Sequence, residues 1–120
     1  ALADAGKWDA AKGVLAWVAG SAADEGYMAL GKLRLASVFI EEKAYDEALA
    51  QLSGAFPTEF TAAAADRKGD VLALQGKQQE AVAEYRRAYQ AFGERAEYRR
   101  LVEAKLNALG AQAAPSENAK

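Results

Sequence analysis

Two pairs of carboxylates have the spacing that acid–base or metal chemistry requires. Asp66 and Asp70 are four residues apart, as are Glu80 and Glu84, so each pair lies on one face of a helix. Paired carboxylates can transfer protons or bind a hard cation. Neither pair has a His or Cys companion, because the chain contains neither residue type. We therefore predict that Asp66 and Asp70 form a hydrogen-bonded or solvated structural pair, with no catalytic residue, metal or cofactor.

Five arginines near the C-terminal end form a candidate basic surface. Such a cluster attracts anionic lipid headgroups or an acidic protein surface. The alternative, which we favour, is that a helix C-terminus and three nearby glutamates neutralise it. The net charge of the whole chain is −2, which argues against a nucleic-acid partner. The arginines are Arg86, Arg87, Arg95, Arg99 and Arg100, and the glutamates are Glu94, Glu97 and Glu103.

An internal repeat predicts the elements that carry these side chains. The segment from Gly76 to Ala81 aligns with the segment from Lys43 to Ala48, 33 positions earlier, and with a third copy that ends at Ala11. A period of about this length is typical of solenoids built from helix pairs. The composition agrees, because Ala and Leu dominate the 52% of residues that are hydrophobic, and both favour helices.

Small residues recur at matching positions of these copies. At such positions two helix axes can approach to about 8 Å, the lower end of the usual spacing. This order of small and bulky residues resembles the tetratricopeptide repeat, although Lys32 and Ala65 stand where that family usually has an aromatic residue, and Gly93 where it commonly has proline. The small residues expected at the helix contacts are Ala11, Ala36, Ala48, Gly69, Ala81 and Ala88.

The resemblance implies an all-α fold, a TPR-like α-solenoid of antiparallel helix pairs with a C-terminal capping helix. We predict a single domain over residues 1–110 and a disordered tail over 111–120. The domain consists of a partial repeat over 5–20, repeats over 23–55 and 58–92, and the capping helix over 95–109. The predicted helices cover 7–19, 23–42, 45–54, 59–75, 78–92 and 95–109.

The first helix of each pair would line the concave surface of such a solenoid, which is the candidate groove for a peptide or a partner helix. Leu30 and Leu33 have a second interpretation, as core residues covered by an upstream repeat, and the sequence leaves both interpretations open. Trp17 has no assigned repeat position and is a candidate for packing on an absent neighbour. The predicted groove residues are Leu30, Leu33, Ser37, Ile40, Asp66, Asp70 and Leu74.

Two longer segments carry a more specific resemblance. They are LRLASVFIEEKAYDEALAQL over 33–52 and ADRKGDVLALQGKQQEAVAEYRRAY over 65–89, joined through FPTEF and followed by VEAKLNALG. This order resembles the YfgM family, the ancillary subunits of the bacterial SecYEG translocon. The resemblance covers about residues 1–110 and is most specific from Arg67 to Lys77.

This resemblance implies a protein of the bacterial inner membrane whose repeat domain lies on the periplasmic side, with this chain as the C-terminal part of that domain. It implies association with the SecYEG translocon and with the membrane-anchored periplasmic chaperone PpiD, in the service of exported proteins. Membrane attachment would come only from an N-terminal span absent from these residues. The longest uncharged run here begins at Gly13 and is far shorter than such a span.

The predicted function is a non-catalytic protein–protein interaction scaffold. No activated nucleophile is apparent without His or Cys, so we expect no enzymatic activity. The alternative is a cytosolic TPR adaptor or cochaperone scaffold, and an apolar span of about 20 residues upstream of Ala1 would argue against it. Because the chain begins at Ala1 within a helical pattern, we expect a fragment whose apolar end makes a homodimer through residues 7–42 a further candidate arrangement.

Overall fold

The computed structural model describes residue 9, residues 12–16 and residues 24–112. Every regular element in this part of the chain is a helix, which confirms the predicted all-α fold. Two compact units result, one ending at Phe60 and the other beginning at Thr61. The elements are α1 (Glu25–Glu41), α2 (Tyr45–Leu52), a short 3₁₀ helix (Thr58–Phe60), α3 (Thr61–Leu74), α4 (Gln78–Phe92) and α5 (Ala96–Ala108); residues 9 and 12–16 are also helical.

Some predictions concern residues outside this described part. Ala11, Trp17, most of the predicted helix over 7–19 and the tail beyond residue 112 are among them. The single domain over 1–110 and its division into repeats stay predictions.

The start of α1 is set by a capping side chain. Asp24 Oδ1 accepts hydrogen bonds from the backbone N–H groups of Gly26, at 2.7 Å, and Tyr27, at 3.2 Å. These bonds satisfy donors that the first helical turn cannot pair internally. The helix therefore begins at Glu25, two residues later than predicted.

The same tight turn ends the first helix of both pairs. Lys43 and Gly76 follow α1 and α3 with φ angles of 62° and 78°, in the left-handed region. The next N–H then reaches back to a helix carbonyl, from Ala44 to Phe39 at 2.8 Å and from Lys77 to Leu72 at 2.9 Å. The chain reverses at once, so the second helix of each pair runs back along the first.

The connection between the two pairs differs from the prediction. α2 ends at Leu52 rather than at residue 54. The helix predicted over 59–75 is divided into a 3₁₀ turn, in which Phe60 N–H donates to the Pro57 carbonyl at 2.9 Å, and α3 from Thr61. Pro57 has no N–H to donate and disfavours helix in the residue before it, so α2 cannot continue into α3.

Small residues form the contact between α1 and α2. Ala36 and Ala48 are fully buried, as expected for helices that approach closely. Leu33, Leu35 and Leu52 are buried with them and supply the larger side chains of the first core.

The second pair packs around a glycine. A Cβ atom at Gly69 of α3 would lie 2.5 Å from ring carbons of Tyr85 on α4, a distance at which atoms overlap. Ala81 and Ala88 of α4 are fully buried. Only a residue without a side chain allows the ring of Tyr85 to lie against α3 at this position.

The capping helix α5 packs on α4. Val102 and Leu106 are buried, and the ring of Tyr98 stacks on that of Phe92 with 5.2 Å between the centroids. Leu101 lies on the solvent side of α5 and is 60% exposed.

Candidate functional site

Four side chains from the three helices of the second unit form what we call the inner charge cluster. Lys105 Nζ of α5 donates a hydrogen bond to Asp66 Oδ1 of α3 at 3.0 Å and lies 3.1 Å from Asp70 Oδ1. Tyr85 Oη of α4 donates to the same oxygen of Asp70 at 2.5 Å. The Lys105 ammonium also lies 5.7 Å from the centre of the Tyr85 ring.

Helix geometry explains how these groups meet. Asp66 and Asp70 lie one turn apart on α3, so both carboxylates project from the same face. Gly69 admits the Tyr85 ring, and the hydroxyl then reaches the neighbouring Asp70. Lys105 lies beside Leu106 at the edge of the buried side of α5, from which its long side chain spans to α3.

The surroundings shift the pKa values of Asp66, Lys105 and Tyr85. Burial raises the pKa of Asp66 above its usual range, although the ammonium of Lys105 opposes this effect. Burial alone would lower the pKa of Lys105, but the charges and hydrogen bonds of Asp66 and Asp70 raise it. Burial, followed by the hydrogen bond to Asp70, raises the pKa of the Tyr85 hydroxyl. Lys105 is therefore a cation and Tyr85 a neutral donor near pH 7, and neither is suited to exchange protons with a substrate.

The inner charge cluster is suited to joining helices rather than to chemistry. Both carboxylates of the α3 pair are occupied by Lys105, and within the described ranges no group of three His, Cys, Asp or Glu side chains could hold a metal ion. Sequence reasoning missed Lys105 and Tyr85 as partners of the pair. A lysine at the edge of an apolar helix face was the available signal, because a half-buried cation requires an anionic partner.

The second carboxylate pair has two different environments. Glu80 is exposed, whereas the Glu84 side chain is 17% exposed and lies 3.1 Å from Arg87 of α4 and 3.8 Å from Lys68 of α3. The Arg87 side chain is 60% exposed, and an ion pair with so exposed a partner contributes little to stability.

The predicted groove residues of α1 have different surroundings. Leu30 is 36% exposed, whereas Leu33 is only 3% exposed and belongs to the core of the first unit. Ser37 Oγ donates to the Leu33 carbonyl at 3.1 Å, and Ile40 is half-buried. Leu30 and Ile40 are therefore the apolar members of this set that a partner could reach.

The predicted groove residues of α3 also differ in their surroundings. Leu74 is 55% exposed, but Asp66 and Asp70 are held by Lys105. This face of α3 therefore presents a carboxylate pair held by one lysine rather than two free acidic side chains. The groove as a whole draws on both units and stays a prediction.

An exposed apolar residue of α1 was missing from the predicted groove set. Tyr27 is 65% exposed and lies on the face of α1 that also carries Leu30 and Arg34. We call Tyr27, Leu30 and Arg34 the α1 face.

A cavity of about 330 Å³ lies beside the start of α1, in the first unit. The Lys32 ammonium forms one side and lies 5.6 Å from the centre of the Phe56 ring. Its size and mixed lining are those of a pocket that accepts a side chain. The lining residues are Glu25, Met28, Ala29, Lys32, Ala55, Phe56 and Pro57.

Two of the five arginines have partners. Arg87 contacts Glu84 at 3.1 Å, and Arg86 Nε donates to the backbone carbonyl of Gln112 at 3.0 Å. We call the other three, Arg95, Arg99 and Arg100, the outer basic cluster.

The outer basic cluster is not neutralised in the way expected. Among residues 24–112, none of Glu94, Glu97 and Glu103 forms an ion pair with these arginines. Instead, the guanidinium of Arg99 stacks 3.9 Å from the centre of the Tyr89 ring. The predicted pairing is wrong here because packing on an aromatic ring directs Arg99 toward α4.

No helix of the described ranges has the length and apolar character that crossing a membrane requires. The described helix pairs leave three features open to solvent: the α1 face, the cavity at the start of α1 and the outer basic cluster.

Known proteins share this architecture. The chain matches the family model described as Tetratricopeptide repeat-like domain over residues 1–111. It is similar to the Ancillary SecYEG translocon subunit of Neisseria gonorrhoeae, with 37% identity over 106 residues, which are 88% of this chain and 51% of that protein. The chain thus spans about half the length of this relative, and no solved structure matches it. The resemblance inferred from the sequence is confirmed, and the chain belongs to the tetratricopeptide repeat-like domain family.

Proposed function

We propose that this chain is a non-catalytic interaction module of a protein associated with the SecYEG translocon. Its site of action is the periplasmic side of the bacterial inner membrane, where it works with the chaperone PpiD on exported proteins. The observation that carries this proposal is the 37% identity to an ancillary SecYEG translocon subunit across 88% of the chain. The described helices form packed pairs with exposed side chains, an arrangement that suits an interaction module.

The α1 face is the docking surface in this proposal. Tyr27 and Leu30 present apolar area to the solvent, and a tyrosine gives a large contact at little cost in side-chain entropy. A helix or extended segment of a translocon or chaperone subunit can contact this face. The cavity at the start of α1, with Met28 and Phe56 in its lining, is a separate feature of the first unit.

Site-specific photocrosslinking tests this docking surface. A photoreactive amino acid replaces Tyr27 in the full-length protein, in membranes that contain SecYEG and PpiD. We expect crosslinks to a translocon subunit or to PpiD. The matched position is Leu101 of the second unit, which is similarly exposed but lies outside the α1 face, and we expect few crosslinks from it.

A substitution then separates docking from folding. Tyr27→Asp should reduce co-purification with these partners, and Leu101→Asp should not. The Tyr27 side chain is largely exposed, so its replacement leaves the core intact. Undiminished co-purification of Tyr27→Asp, with normal thermal melting, would contradict docking through this face.

The homodimer expected from the sequence is tested on the same material. If the chain pairs through residues 7–42, light scattering of the purified chain should give twice the mass of 12.7 kDa. A charged replacement of Val14, which is 63% exposed, should return the protein to the monomer mass. A monomer at all concentrations would rule this arrangement out.

A further inference from the structure

A small cavity lies in the second unit, beside the outer basic cluster. Its volume is about 170 Å³, and it opens between α4 and the first turns of α5. The lining residues are Tyr89, Ala96, Arg99, Arg100 and Glu103. The space suits one small group, such as a carboxylate, rather than a whole ligand.

Arg99 is prepared to bind an anion here. The Tyr89 ring fixes its guanidinium by stacking, which lowers the entropy lost when the side chain forms further hydrogen bonds. Its Nε atom is buried and has no hydrogen-bond partner in residues 24–112. A buried donor without an acceptor is unfavourable, and an acceptor from a bound ligand would satisfy it.

Arg100 adds a second, exposed guanidinium with no ion-pair partner among the described residues. Ala96 begins α5, and the partial positive charge of a helix N-terminus also favours an anion at this end. Glu103 is the opposing charge in the lining, which leaves the cavity with one net positive charge.

We propose that this cavity binds a carboxylate of an acidic peptide segment, with Arg99 and Arg100 as the donors. Planar guanidinium groups match the two oxygens of a carboxylate and bind it through paired hydrogen bonds. The site is separate from the α1 face, so this proposal does not depend on the result of the translocon experiments.

The surrounding charges favour a peptide over a lipid surface. Membrane attraction grows with the number of basic residues that face the headgroups. Here Glu94, Glu97 and Glu103 are interspersed with the three arginines of the outer basic cluster, so the formal charges of the patch cancel. A single carboxylate inside the cavity gains from the local geometry and does not need a net positive field.

Fluorescence anisotropy with the full chain and two labelled peptides tests the proposal. One peptide of about ten residues alternates Glu with Ser, and the other has Gln in place of Glu. We expect the Glu peptide to bind roughly tenfold or more tightly than the Gln peptide, which corresponds to the loss of charge-assisted hydrogen bonds. Equal binding of both peptides, or of neither, would overturn the proposal.

Matched variants locate the binding. Arg100→Gln should weaken binding of the Glu peptide roughly tenfold, and Arg99→Lys should weaken it too, since it keeps the charge but loses the planar donor pair. Arg87→Gln removes the same charge outside the cavity and should change the affinity less than about twofold. Glu103→Gln should strengthen binding. Circular dichroism should show unchanged melting of Arg100→Gln, an exposed residue.

Two results would replace this proposal. If Arg87→Gln weakens binding as much as Arg100→Gln, the attraction is a general charge effect and no site exists. If the chain binds phosphatidylglycerol vesicles but not the Glu peptide, and phosphatidylcholine vesicles not at all, the cluster serves a membrane surface instead.

Discussion

The two helix pairs use one backbone arrangement with different side chains inside it. In the 33-residue register, Leu33, Ser37 and Leu52 of the first pair correspond to Asp66, Asp70 and Tyr85 of the second. The first pair is apolar at two of these positions, with Leu33 and Leu52 each 3% exposed, and Ser37 Oγ donates to the Leu33 carbonyl of its own helix. The second pair forms the inner charge cluster with Lys105 of α5.

The difference shows what the third helix adds. Two carboxylates one turn apart repel each other and lose hydration when buried, so they require a cation in reach. α5 supplies that cation from Lys105, and the same helix packs on α4 through Val102 and Leu106. The polar cluster is therefore a contact that fixes where α5 packs, whereas the first pair needs only its apolar core.

The small residues common to both pairs should give the largest effects. Ala48→Leu and Ala81→Leu each insert a branched side chain where the helices touch, and each should destabilise the protein by about 3 kcal/mol. The matched controls are Ala50→Leu and Ala83→Leu, which are exposed and related by the same 33-residue register. They should change stability by less than about 0.5 kcal/mol.

Urea denaturation measures the free energy of unfolding of these four variants. If both Ala48→Leu and Ala81→Leu unfold at the same urea concentration as the wild type, close helix packing does not hold the pairs together.

Exchanging one position between the pairs should have the next largest effect. Gly69→Ala places the residue of the first pair, Ala36, into the second, where its Cβ overlaps the Tyr85 ring. The expected loss is about 2 kcal/mol, reduced somewhat by the better helix propensity of Ala. Tyr85→Leu, the residue of the first pair, removes the overlap.

A double-mutant cycle checks this interpretation. The loss in Gly69→Ala combined with Tyr85→Leu should be smaller than the sum of the single losses by about 1 kcal/mol. Additive losses would mean that Gly69 serves α3 in some way unrelated to Tyr85.

Removing the cation of the inner charge cluster should cost less. Lys105→Met leaves Asp66 and Asp70 to repel each other, and we expect a loss of about 1–2 kcal/mol because the site is partly exposed to solvent. Arg87→Met is the control, since it breaks the exposed pair with Glu84 and should cost less than about 0.5 kcal/mol. Equal losses in the two variants would contradict a special role for Lys105.

The same variant predicts a pH dependence. The pKa of Lys105 is raised in the folded protein, so its stabilisation is complete below its unfolded value of 10.5 and is lost as the pH rises through the folded value. The raised pKa of Tyr85 acts in the same direction. The stability difference between wild type and Lys105→Met should therefore shrink at strongly alkaline pH. A constant difference between about pH 7 and about pH 11, a range that includes the ordinary pKa values of Tyr and Lys, would argue against this linkage.

The turns should give the smallest effect, with opposite signs in the two pairs. Lys43 has a left-handed φ of 62° at the position that Gly76 holds in the second pair. Lys43→Gly should stabilise the protein by up to about 1 kcal/mol, and Gly76→Lys should destabilise it by about the same amount. Thermal melting measures both, and a loss of stability in Lys43→Gly would show that its side chain has a role beyond the turn.

The helices were predictable because their signals are local. Gly76 and Pro57 mark helix ends by backbone chemistry alone, and the small residues of the repeat mark the contacts. Two helix starts moved by two residues, to Glu25 after the Asp24 side-chain cap and to Thr61 after the 3₁₀ turn.

The site was predictable only in part. Asp66 and Asp70 were correctly paired from their spacing, because residues one turn apart share a helix face. Their partners were missed, because Lys105 is 35 to 39 residues away in the chain and meets them only through the packing of α5. The expected pairs between α5 glutamates and the arginines failed for the same reason, since the Tyr89 ring on another helix competes for Arg99.

The sequence by itself determined the repeat, the helical class and the family, because periodic small and apolar residues act through local geometry that recurs in every copy. The tertiary structure alone decided which charges are satisfied. Leu33 became core while Leu30 stayed at the surface, Asp66 and Asp70 acquired a lysine, and Arg95, Arg99 and Arg100 remained without acidic partners among the described residues. Electrostatic energies depend on distances between side chains of different helices, and those distances exist only after the helices pack.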